Sequence, residues 1–125
     1  KVIAKACSEM HVRVLQKVGA DQIVFPEYDM GARLARILSS GRMIDYVDIG
    51  GEYKVAEIRC PSSWSGKNLR QLSLRSRYSI NVLLIKTGES GGKLINPGAD
   101  YEIRPDDIMV VMGLDKDIAE ISDEK

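Results

Sequence analysis

The sequence predicts an α/β chain in two parts: a parallel β-α-β-α segment over residues 1–50, then a small α+β lobe over residues 51–125. Three observations carry that expectation. Short β-branched runs alternate with helical-period stripes in the first part, the repeat of a doubly wound parallel sheet. From "GGEYKVAEI" onward, strand-length runs follow one another closely, broken by two short helical patterns. The chain has 125 residues, 44% hydrophobic and 29% charged, enough for one domain with a core or two small lobes.

Each element has a local reason. "KVIAKA" has the length and β-branched content of a buried strand. In "SEMHVRVLQKVGA", Ser8 suits an N-cap, Met10, Val14, Leu15 and Val18 recur at helical spacing, and Gly19 is a natural stop. "DQIVFP" reads as a second strand closed by Pro26. In "EYDMGARLARILSSG", Met30, Leu34, Ile37 and Leu38 form one stripe and Gly41 ends it. Two strands do not make a stable sheet of this kind, so the first part reads as a truncated Rossmann-like segment. The apolar "MIDYVDI" leads to Gly50-Gly51, the expected boundary between lobes.

In the second part "EYKVAEIRCP" alternates as a half-buried strand. "SSWSGKNLRQLSLRSR" reads as a loop and one short helix around Leu69 and Leu72. "YSINVLLIK", the glycine-rich loop "GESGG" and "KLINPGADYEI" form a hairpin, "RPDD" a turn, "IMVVMG" a strand and "LDKDIAEISDEK" a closing helix. Arg75 and Arg77 precede the run from Ile80 to Ile85, either as a solvated basic approach to a strand or as part of a pocket for an anion.

Composition narrows the function. The 18 basic and 18 acidic side chains cancel, which argues against wholesale binding of nucleic acid or a membrane surface. The apolar runs are strand-length, far below the roughly 20 residues of a membrane span. Cys7, Cys60 and the single His11 cannot supply a four-ligand zinc site. Two separate thiols fit a reducing cytoplasm, with a disulfide left open. Lys1 opens straight into a strand pattern, as expected of a piece of a longer polypeptide. No convergent nucleophile, base or metal set stands out. His11 reads as a surface or satisfied histidine, Asp106-Asp107 as turn residues and Trp64 as a packing anchor. "GESGG" lies between strands rather than before a helix, so it lacks the geometry of a phosphate loop. The chain is expected not to be an enzyme.

The order of motifs resembles a known family. "KVGAD-xx-VFPE-xDMG-xRLA" (Lys17 to Ala35), "W-x-GK-x-L-x-x-L-x-LR-x-x-Y-x-INV-x-x-IK" (Trp64 to Lys86) and the segment from Pro97 to Gly113 look like the RCK domains, regulators of potassium conductance in bacterial Trk/Ktr uptake systems. The resemblance implies the end of an RCK N-lobe with its crossover helix over residues 1–50 and a complete, ligand-sensing C-lobe over residues 51–125. It implies a cytoplasmic regulatory subunit, held at the inner face of the membrane through a potassium-channel subunit. That subunit would form a homodimer, assemble into a ring, and bind no nucleic acid.

Met30, Leu34, Ile37, Leu38 and Ile44 would then pack the dimer, and Glu27 would match a position that coordinates a cation near nucleotide phosphates in some members. A helix N-terminal acid favoured by the dipole explains Glu27 equally. ATP, ADP or NAD would bind at glycines that this sequence lacks. Leu69, Arg75, Ile80, Asn81 and Pro97 match the positions with which some members bind cyclic di-AMP on a two-fold axis. Arg75 suits a phosphate, Asn81 a base edge, and the other three an apolar floor. Read plainly, Leu69 and Ile80 fit a core, Pro97 a turn, and Arg75 an ion pair with an acid such as Glu57. The same C-lobe occurs on other cation or amino-acid transporters and on transcription regulators. A fragment of a nucleotide-dependent oxidoreductase is the remaining alternative.

Overall fold

The structure, a computed structural model, describes residues 1–88 and 91–124. Its compact units are residues 1–36 and 37–125.

The first unit holds strand β1 (Ile3–Lys5), helix α1 (Glu9–Lys17), strand β2 (Gln22–Val24) and most of helix α2 (Pro26–Ser39). β1 and β2 pair in parallel, Ile3 opposite Gln22 and Lys5 opposite Val24, which is the expected β-α-β-α start. Ser8 caps α1 by accepting from the His11 backbone N–H at 3.1 Å. Neither helix has a buried residue within this chain, and Met30, Leu34 and Leu38 stand 61%, 52% and 75% exposed. The stripe of α2 is therefore an uncovered apolar face, while Ile37 and Ile44 are half-buried.

The second unit is built on an antiparallel sheet in the order β3-β4-β7-β5-β6, made of Met43–Gly50, Tyr53–Arg59, Ile108–Leu114, Asn81–Lys86 and Lys93–Ile95. β4 and β7 pair without a break from Tyr53–Leu114 to Arg59–Ile108. Their period-2 alternation turns Ala56, Ile58, Met109 and Val111 inward, all fully buried. Ile118 and Ile121 of helix α5 (Asp115–Asp123) join them in the core, with Leu72, Leu74, Tyr78, Trp64 and Ile85. Lys54, also buried, is neutralised by Asp115 at 3.0 Å and lies over the Tyr46 ring.

Two local expectations change. Gly50-Gly51, expected as the boundary between lobes, is a turn within one sheet. Gly50 pairs with Tyr53, and both glycines take positive φ (110° and 62°) at a tight β3–β4 hairpin that puts residues 43–50 in the same sheet as β4. The stretch from Ser62 is not one helix. A single 3-10 turn (Ser62–Trp64) is followed by α3 (Leu69–Leu72) and a separate α4 (Leu74–Tyr78). Asn68 and Gln71 form a capping box that starts α3. Ser73 and Ser79, both left-handed (φ 47° and 55°), end α3 and α4, each at a cost of about 1–2 kcal/mol for a non-glycine residue. Arg75 and Arg77 thus sit on a helix, not beside a strand. The β5–β6 hairpin forms as expected, Lys86 opposite Lys93, while Glu89 and Ser90 of "GESGG" lie outside the described residues.

β7 lies against the residue before β5. A Cβ placed on Gly113 would stand 2.9 Å from Ile80 Cγ2, a methyl on a branched Cβ in the packed core. Gly113→Ala is therefore expected to destabilise the second unit by about 1–3 kcal/mol in urea denaturation, since Ile80 cannot swing away.

Candidate functional site

The break at Ser73 bends the chain so that α3 and α4 flank one hollow. A cavity of about 280 Å3 opens there, bounded by α3, α4, the start of β5 and the loop after β6. Leu69, Arg75, Ile80, Asn81 and Pro97 all line it. Arg75 Nη2 donates to Asn81 Oδ1 at 3.0 Å, which aligns the two polar members side by side. Among the described residues no acid pairs with Arg75. Glu57, the suggested partner, is held by Lys86 instead, because β5 and β4 flank β7 and bring those two side chains together. Ile80 is at once core and cavity floor: it is 1% exposed and faces Gly113 behind.

The loop that carries Pro97 is not free. Arg70 N–H donates to Ala99 O at 2.8 Å and Leu69 N–H to Tyr101 O at 3.1 Å. The Tyr101 hydroxyl then donates to Asp107 Oδ2 at 2.8 Å, and Arg104 N–H to the same oxygen at 2.9 Å. Asp107 closes the "RPDD" turn as expected, but it is fully buried, and its Oδ1 has no hydrogen-bond partner among the described residues. Burial pushes the Tyr101 hydroxyl up to about 12, helped by its bond to Asp107. Burial likewise lifts the Cys60 thiol to about 12, with Asp107 adding and Arg42 opposing.

Sequence reasoning missed several cavity residues, among them Arg70, Ser73 and Ser76. Arg70 forms an exposed ion pair with Asp100 at 3.2 Å on the rim. The signal available was only their nearness to Leu69 and Arg75, and the helix break that brings them to the rim of the hollow leaves no periodicity to read. Arg77 is not in the cavity. It pairs with Glu124 at 3.2 Å and covers the Tyr78 ring at 5.0 Å. Glu124 also receives hydrogen bonds from Tyr78 and, at 2.7 Å, from the Trp64 indole N–H. Burial raises the pKa of this carboxyl, but Tyr78 and Trp64, then Arg77 and Lys67, outweigh it and hold it below its ordinary value of 4.5. Burial lifts Tyr78 to about 12, again with help from Glu124.

The other candidates are scattered. Glu27 stands in the first turn of α2, facing the Lys5 amine at 3.6 Å. Among the described residues no three His, Cys, Asp or Glu side chains gather to hold a metal. His11 Nδ1 lies 3.4 Å from the Cys7 sulfur on the surface, and both cysteines are free. No helix among the described residues is long and apolar enough to cross a membrane.

An antiparallel sheet backed by α5, with a polar-and-apolar hollow between two short helices, defines an RCK-type C-lobe. The chain belongs to the TrkA-C domain family, whose model matches residues 55–125. It is 36% identical over 118 residues to the Ktr system potassium uptake protein C of Bacillus subtilis (strain 168), covering 94% of this chain and 52% of that one. It is 35% identical over 120 residues to the Ktr system potassium uptake protein A of the same organism, covering 96% and 53%. The chain therefore spans about half the length of the curated relatives it matches. Among solved structures, the GsuK channel bound to NAD superposes with a TM-score of 0.52 at 19% identity, over 97% of this chain and 22% of that one. The RCK C domain of the potassium transport protein KtrA, in complex with cyclic diadenosine monophosphate, gives 0.51 at 19% identity, over 74% and 95%. At such identity these two establish the shared fold.

The raised tyrosines and thiol make a pH prediction. Their folded pKa values lie above the ordinary 10.0 and 9.0, so the stability they contribute is complete below those values and is lost as pH rises towards 12. Urea midpoints are expected to fall steeply between pH 9 and 12. Tyr101→Phe should flatten part of that slope and, by stripping Asp107 of a donor, cost about 1–3 kcal/mol at neutral pH.

Proposed function

We propose that this chain is the sensing part of a cytoplasmic regulatory subunit that gates a potassium-uptake channel, and that two C-lobes bind cyclic di-AMP between them. The observation that carries this reading is the convergence of Leu69, Arg75, Ile80, Asn81 and Pro97, dispersed over nearly thirty positions, on one cavity. Size supports a shared site. A hollow of about 280 Å3 falls just short of the roughly 300–1,000 Å3 of ordinary small-molecule pockets, whereas two copies facing across a two-fold axis would offer about twice that volume. A cyclic dinucleotide has the same two-fold symmetry, with one phosphate for each Arg75 and one adenine for each apolar floor. The KtrA RCK C domain, of the same fold, carries this ligand.

The remaining roles follow from the same reading. The chain acts as a regulator, not a catalyst, and binds no nucleic acid. The exposed stripe of Met30, Leu34 and Leu38, with Ile37 and Ile44, packs a homodimer that enters a larger ring. The membrane channel subunit is the partner that keeps the assembly at the inner face of the membrane. A nucleotide such as ATP, ADP or NAD would bind at glycines that this sequence lacks. Ligand wedged between the two C-lobes changes their relative angle, and it does so only by binding one arrangement more tightly than the other.

Calorimetric titration of the chain with cyclic di-AMP tests the assignment. Micromolar or tighter binding at one ligand per two chains is expected, and no heat at tens of micromolar ligand sinks it. Arg75→Ala and Asn81→Ala should each weaken binding, Arg75→Ala by about tenfold or more as a charge-assisted phosphate contact is lost.

A further inference from the structure

Helix α4 has two occupied sides. Arg75 and Arg77, two residues apart, project roughly 200° apart around a helix. Arg75 enters the cavity and bonds Asn81, whereas Arg77 pairs with Glu124. Tyr78, the last residue of α4, is joined to the same carboxylate, and its ring lies tilted by 40° at 5.9 Å from Trp64, which donates to the carboxylate's other oxygen. The Glu124 main-chain carbonyl is in turn held by Arg42 Nε at 2.8 Å. One carboxylate thus collects three side-chain donors from α4 and the 3-10 turn. Left-handed Ser73 and Ser79 bracket α4, so this five-residue helix is joined to its neighbours by two sharp bends rather than by continuous structure.

We infer that Glu124 is a positioning residue for the ligand cavity: it clamps α4 on the side away from the hollow and so fixes where Arg75 presents its guanidinium. The inference rests on the proposed ligand site for its functional consequence. A helix held at two bends and one clamp has a small set of arrangements, and a ligand that grips Arg75 favours the clamped one. By linkage, the clamp must then favour the ligand to the same degree. Trp64 is the single tryptophan of the chain, and its indole N–H sits in the clamp, so its emission reports the clamp directly.

Glu124→Gln keeps the side-chain shape and removes the charge. In hydrogen exchange without ligand, α4 amides of this variant should lose about tenfold or more protection while β4 and β7 amides keep theirs. In the unchanged protein, cyclic di-AMP should shift Trp64 emission with the midpoint seen by calorimetry. Glu124→Gln should bind about five- to tenfold more weakly and show no such shift. Equal α4 protection in both proteins overturns the clamp. Equal affinity and an equal emission response overturn its coupling to the cavity. Should the unchanged protein bind no dinucleotide, the ligand assignment and the coupling fall together, and the α4 exchange alone then decides whether the clamp stands. Arg77→Met removes one arm only and covers the case in which Glu124→Gln does not fold; it should loosen α4 in the same sense, and unaltered exchange there also counts against the clamp.

Discussion

The unbroken antiparallel pairing of β4 with β7 is the constraint on which the rest of the second unit depends. Seven successive residue pairs fix which side chains face inward, and a slip of one position would send Ala56, Ile58, Met109 and Val111 to the wrong face. That pair sits at the centre of the sheet, so β3 and β5 take their register from it. α5 follows β7 directly and covers the face so defined with Ile118 and Ile121.

The cavity is a consequence of the same pairing. Gly113 in β7 leaves room for Ile80, and Ile80 seated there becomes the floor on which the hollow rests. Short helices then wall it because two serines accept left-handed backbone at the bends. The loop bearing Pro97 is tied to α3 by backbone hydrogen bonds and, through Tyr101, to the buried Asp107. Polar groups inside this unit therefore serve mainly to hold loops against the core. The buried Asp107 gathers donors from its own loop, Tyr101 and Arg104, and the half-buried Glu124 gathers them from α4 and the 3-10 turn.

The two units differ in how far they satisfy their own apolar surface. Residues 37–125 bury a continuous core, whereas α1 and α2 have no buried residue, and Val14, Val18, Met30 and Leu34 remain exposed. An amphipathic helix with an open apolar face is built to be covered by further protein. That is the physical content of reading α2 as an interface element.

Much of this was legible in the sequence because it is local. Period-2 and period-3.6 patterns located most strands and helices, though β3 was read only as an apolar segment and α4 not at all; Ser8 marked its cap, and the resemblance to RCK domains named five residues that line one cavity. What failed was also specific. Gly50-Gly51 looked like a lobe boundary and is a hairpin turn, since glycine supplies positive φ equally well to either, and only pairing partners distinguish them. Arg77 had no evident purpose, because its partner Glu124 lies 47 positions away and no local rule links them. Glu57 seemed a partner for Arg75 and belongs to Lys86, a choice made by strand order. The sequence by itself determined most of the elements, the inward faces of the central strands and the family. Tertiary structure decided which distant charges meet, where the chain bends at Ser73 and Ser79, and hence that a cavity exists, because those outcomes depend on contacts between segments that local pattern does not encode.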